Sequence, residues 1–214
     1  MALPALRWMP GAHERNEVGA AALGRAAAAL RAVTFDSFGD WSPALDGIEP
    51  FDGGAAAWLR TRTDRWIAAC ANGPRPLAGR DLAFVRSLVP DDLDVTPTYV
   101  HHDLKTANCV FLDGEVSGLF DLGEGVIGDP IENLARAVWD LATFDVDLAV
   151  RFLRAYEGAA GAEIPRDRLR SYVLLDLVVI WEYAVRQTPP WIGDESFESW
   201  ATTFISPVDV ALTY

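Results

Sequence analysis

Within YVHHDLKTANCVFLDGEVSGLFDLGEGVIGDP, residues 99–130, three oxygen-bearing side chains are spaced so that they could serve one reaction. Asp103 and Asn108 stand five residues apart in one loop, and Asp121 follows a short strand–turn–strand. Phosphoryl transfer from ATP needs a carboxylate to orient the attacking hydroxyl and take its proton. It also needs hard oxygen ligands that hold Mg²⁺ against the phosphates. A base Asp, an Asn five residues on and an Asp in a following turn meet both needs. The Asp113-Gly114 step is a hairpin signal that would fold Asp121 back beside the loop, and Gly123 lets the chain turn sharply just past it. Lys105 is the only lysine in a chain with 17 arginines, and its compact ammonium would suit a phosphate. Plainer uses stand beside these. Asp and Asn favour turns, a single lysine can fall anywhere, and His101 reads as a structural histidine bonding the loop rather than a proton shuttle.

The same residues resemble the aminoglycoside phosphotransferase and choline kinase family, the small-molecule branch of the protein-kinase-like fold. That family's His-Gly-Asp-Leu loop, its Asn, its hairpin, its Mg²⁺-binding Asp and its Gly-Asp-Pro step are matched here by His101-His102-Asp103-Leu104, Asn108, Asp121 and Gly128-Asp129-Pro130. The resemblance implies that Asp103 is the base, that Asn108 and Asp121 hold Mg²⁺ and the ATP phosphates, and that His101 and Asp129 brace the loop. HHDLKTAN is also close to the protein-kinase loop, in which a Lys at the place of Lys105 meets the transferred phosphate. No long activation segment separates Asp121 from the next helix, however, and the small-molecule branch fits better. His102 stands where that branch has Gly and protein kinases have Arg. Asn133 replaces the Asp that the family carries after Gly-Asp-Pro, which weakens whatever that carboxylate does. Glu124 and Glu132 could face a cationic substrate or simply be solvated.

The elements that must position these residues are mostly helical. Glu17–Val33 is rich in Ala, Leu and Arg and reads as a helix. Ala55–Ala71 carries Trp58, Arg62, Trp66 and Cys70 a turn apart, and Leu77–Leu88 is a third helical run. Asp36–Gly54, with its Gly, Pro, Asp and Ser, reads as an irregular loop. Two β segments, 109–113 and 116–120, flank Gly114-Glu115. Helical spacing returns from Ile131, continues through Val146–Tyr156, and ends in Ser171–Gln187, which is apolar nearly all round and therefore a core helix. The expected fold is α+β and mostly α, a kinase-like large lobe in which a small hairpin carries the loop. Its parts are a hinge-like segment (1–12), a helical stretch (13–98), the loop, hairpin and metal turn (99–130) and a second helical stretch (131–214).

Leu6–Ala12 resembles the strand that leads out of a kinase's small lobe, so Trp8 and Met9 are expected at the nucleotide edge. The β-lobe that would precede it is not evident, and no lysine occurs before Lys105 to serve as that lobe's phosphate-binding lysine. Three readings stay open: a fragment, a kinase completed by a partner protein, or a non-catalytic binding module. Small alcohols, including aminoglycoside-like cations, and Ser or Thr hydroxyls of peptides are the acceptor classes this fold implies. Composition narrows the rest. A net charge of −13 argues against a nucleic-acid backbone as partner. It suits a cation, or serves solubility alone. No apolar run approaches membrane-spanning length, the first residues do not form a secretion signal, and Cys70 and Cys109 make no metal or redox spacing, so a cytoplasmic location is the simplest expectation.

Overall fold

Asn16 starts the first helix: its side-chain oxygen accepts the Gly19 N–H at 2.9 Å, satisfying one of the donors a helix N-terminus leaves free. In this computed structural model, which describes residues 11–42 and 47–214, that helix is α1, Glu17–Leu30. Its small residues bring it against a later helix so closely that a Cβ on Gly24 would lie 2.3 Å from the Phe152 carbonyl oxygen. Only glycine permits that approach.

The segment expected to be an irregular loop instead contains two strands, β1 (Gly39–Ser42) and β2 (Gly47–Pro50), paired antiparallel. The helical stretch 13–98 therefore also holds sheet. The physical reason is non-local: β1 pairs on its other side with a strand almost ninety residues later, at Gly39–Ile127 and Asp40–Val126. Next come α2 (Ala55–Ala71) and α3 (Arg80–Ser87), then β3 (Thr98–Val100), β4 (Cys109–Leu112), β5 (Glu115–Leu119) and β6 (Val126–Gly128). One antiparallel sheet runs β2-β1-β6-β3, and β4-β5 form a separate hairpin. The hairpin turns through Asp113 at φ 53° and Gly114 at φ 77°, the left-handed pair that a two-residue connection requires. Ala12 pairs with Phe111 on β4 through two main-chain hydrogen bonds, 3.0 and 2.8 Å. Trp8 and Met9 lie outside the described residues.

The remaining helices are α4 (Ala135–Phe144), α5 (Val146–Ala160), α6 (Arg166–Ala184) and α7 (Phe197–Leu212). α6 begins five residues earlier than its apolar run suggests, directly after Pro165, and nearly all its central turns are buried. α7 is held from outside its own sequence: the Asp81 carboxylate on α3 accepts the N–H groups of Phe197 and Glu198 at 3.1 and 3.0 Å. The main core joins α1 to α4–α7, and a smaller cluster of Phe38, Ala55, Trp58, Val100 and Val126 sits beneath the four-stranded sheet. The loop carrying His101–Asn108 runs between these two cores.

Candidate active site

β3 delivers His101 into the interior, where it is fully buried. Its N–H donates to Asn133 Oδ1 at 3.0 Å, and its Nδ1 accepts the Asp103 N–H at 3.3 Å. The other ring nitrogen, Nε2, is thereby left protonated and donates to the Phe120 carbonyl at 2.6 Å. The Phe120 N–H in turn donates to the Asn108 carbonyl at 2.9 Å. Residue 120 is thus tied by its backbone to both ends of the loop, and Asp121 stands one residue beyond it. Asp121 is left-handed, φ 59° and ψ 52°, a conformation Asp tolerates better than most side chains.

The bracing of the loop differs from the expectation in one respect. Asp129 does not touch it: its carboxylate accepts the Ile131 N–H (2.9 Å) and the Tyr172 hydroxyl (2.9 Å), and Arg168 lies 3.3 Å away. Asn133 holds the loop instead. One acceptor oxygen is all that the His101 N–H requires, and an amide supplies it without burying a charge.

Asp103 is held on both oxygens. Oδ2 accepts from Lys105 Nζ at 2.7 Å and from Asn108 Nδ2 at 2.8 Å, while Oδ1 accepts from Arg136 Nη1 at 3.1 Å. Burial pushes the carboxyl's pKa up, but the Lys105 hydrogen bond and the charge of Arg136 outweigh it and hold it below the usual range. Asn108 Nδ2 also donates to the Asp103 carbonyl at 2.8 Å. With both amide hydrogens committed to Asp103, Oδ1 of Asn108 is left as the oxygen for a cation. Lys105 is more exposed than Arg136, 28% against 16%.

His102 lies at φ 70°, uncommon for a residue with a side chain. Its ring stacks against Trp66, with centroids 5.6 Å apart, and Nε2 lies 3.7 Å from Glu132. Burial pulls its pKa down to about 4, and the Arg62 charge adds to this. Glu132 does not face a substrate: it is buried in a bidentate pair with Arg62, 2.7 and 2.8 Å. Beside His102 opens a cavity of about 220 Å³, bounded by Trp41, Trp66, Arg65 and Glu124 among others. Arg65 is paired with Asp40 at 2.7 Å.

The structure brings Asp103, Lys105, Asn108 and His101 into one hydrogen-bonded group and adds Arg136 and Asp176, which the sequence did not single out. One signal was available for Asp176, a lone carboxylate inside the apolar run VLLDLVVIW. No comparable signal marks Arg136. Among the described residues no cluster of three His, Cys, Asp or Glu could hold a metal by itself, and no helix is long and apolar enough to cross a membrane.

A profile described as the phosphotransferase enzyme family matches residues 1–171. Among solved structures, the chain is 25% identical to an aminoglycoside-3'-phosphotransferase of type VIII over 79% of its own length and 66% of that chain, with a TM-score of 0.57. An aminoglycoside phosphotransferase in ternary complex with AMP-PNP and hygromycin B is 18% identical over 97% of this chain and 70% of that one, TM-score 0.56. A Plasmodium vivax ethanolamine kinase is 14% identical over 94% and 62%, TM-score 0.59. The chain therefore spans about two thirds of the length of these structures. No curated protein matches it.

Proposed function

Because the chain belongs to the phosphotransferase enzyme family, we propose that it is the catalytic portion of an ATP-dependent kinase that phosphorylates the hydroxyl of a small alcohol. The observation that carries this reading is the placement of Asp103, with its carboxylate held by Lys105, Asn108 and Arg136, two hydrogen bonds through His101 from the turn that presents Asp121. Asp103 aligns the acceptor O–H and receives its proton as the oxygen bonds to the γ-phosphorus. The bond from phosphorus to the bridging oxygen breaks, and its electron pair leaves on ADP. A carboxyl held in its ionised form suits this role, because positioning and charge dominate phosphoryl transfer. Lys105 is the group free to turn toward the γ-phosphate.

Asn108 Oδ1 and the Asp121 carboxylate are hard oxygens, the donor type Mg²⁺ takes, and these two residues would hold it. Bound there, the ion would neutralise charge on the phosphates. A second phosphate-binding lysine, of the kind kinases place above the nucleotide, has to come from outside these 214 residues, from further chain or a partner protein. The acceptor fits the cavity beside His102. There Arg62 and Arg65 are spent on Glu132 and Asp40, while Glu124 has no ion-pair partner among the described residues. One uncompensated carboxylate beside two tryptophan rings favours a small cationic alcohol.

Calorimetric titration of Mg²⁺·ATP into the wild type and Asp121→Ala tests the reading. Saturable binding by the wild type, weakened at least tenfold in the variant, supports it. A wild type that binds no nucleotide at millimolar concentration overturns it for this chain.

A further inference from the structure

We infer that Arg136 is the positioning residue of the base: locked in place by Asp176, it anchors Oδ1 of Asp103 and so fixes the orientation in which Oδ2, once Lys105 turns away, meets the acceptor hydroxyl. This rests on Asp103 being the base, as proposed above. Arg136 Nε donates to Asp176 Oδ2 at 2.6 Å and Nη2 donates to Oδ1 at 2.8 Å, a two-pronged pairing that fixes the plane of the guanidinium. The third nitrogen, Nη1, then points at Asp103 Oδ1, 3.1 Å away. Arg136 stands on α4 and Asp176 on α6, both core helices, and their side chains are only 16% and 7% exposed, so neither end can swing out.

The groups on the other oxygen differ in kind. Asn108 is tied to the loop's own backbone, but Lys105 is a flexible ammonium, 28% exposed, with only the Asp103 carboxylate as its hydrogen-bond partner among the described residues. Moving Lys105 toward a phosphate vacates a position on Oδ2 and changes nothing on Oδ1. The two oxygens of the base are therefore unequal before any substrate arrives. A lysine at 136 could carry the charge but could not serve both carboxylates, because an ammonium lacks the planar fork.

Crystal structures of the wild type, Arg136→Gln and Arg136→Lys, with kinetics on the same proteins, provide the test. The wild type is expected to show the pairing above, and both variants to show the Asp103 carboxylate rotated or in more than one orientation. In kinetics, kcat should fall on the order of a hundredfold, while the acceptor KM stays within a factor of about two. Failure of Lys to rescue separates positioning from simple charge balance. Should the single variants not fold, Arg136→Met with Asp176→Leu removes the buried charges together and leaves Asp103 without its clamp. An Asp103 carboxylate that keeps its wild-type orientation in any folded variant overturns the inference. A wild type that turns over no alcohol at all defeats the kinase reading, and the crystallographic comparison still decides the positioning.

Discussion

Arg62 and Glu132 join α2 to the turn that precedes α4 by two contacts of 2.7 and 2.8 Å, with side chains only 4% and 7% exposed. Removing one partner strands the other charge in the interior. Glu132→Ala or Arg62→Ala should therefore cost about 3–5 kcal/mol in denaturant unfolding, and the paired change Arg62→Met with Glu132→Leu much less. Single variants as stable as the wild type would contradict this.

Asn108→Ala removes the oxygen assigned to the cation together with both hydrogen bonds to Asp103. Calorimetry should show Mg²⁺·ATP affinity reduced by at least about tenfold, equivalent to about 1.4 kcal/mol. Asn108→Asp keeps a metal oxygen but sets a second carboxylate against Asp103. It should retain more of the affinity while lowering the melting temperature, and a variant equal to Asn108→Ala in affinity would count against the ligand assignment.

His102 supplies a pH dependence with a definite sign. Its folded pKa, about 4, lies below the ordinary value of 6.5, so the unfolded chain binds the proton first as pH falls. The stability linked to the neutral ring is complete above about 6.5 and is lost progressively down to about 4, amounting to at most about 3 kcal/mol. His102→Gly also relaxes the backbone at φ 70°. Unfolding measured from pH 7 to 4 should fall more steeply for the wild type than for this variant. Parallel curves would remove His102 as the source.

Glu124→Gln should raise KM for a cationic alcohol severalfold, leave that for a neutral alcohol unchanged, and spare nucleotide binding. Equal effects on both alcohols would show that the cavity beside His102 does not select charge.

How much of this was legible beforehand depended on how local the cause was. α2 runs from Ala55 to Ala71 as its spacing of Trp58, Arg62, Trp66 and Cys70 suggests, and Asp113-Gly114 makes the hairpin turn its residue types demand. The loop from His101 to Asn108 was readable because its residues are consecutive. β1 was not, because its reason for being extended is β6, far along the chain. Glu132 could be read as facing a substrate or as solvated until α2 brought Arg62 onto it, and Asp129 serves Ile131, Tyr172 and Arg168 rather than the loop. Arg136 reaches Asp103 across 33 residues, through two helices whose packing no spacing encodes.

Phe120 shows where the sequence of such a site is free to drift. Its N–H and its carbonyl are both committed to the loop, while its side chain is 39% exposed. The position of Asp121 is inherited from the peptide units on either side of residue 120 and not from the phenyl ring. Many side chains could replace that ring without moving the turn, so a comparison of related sequences should find this position variable in identity beside a nearly fixed Asp121.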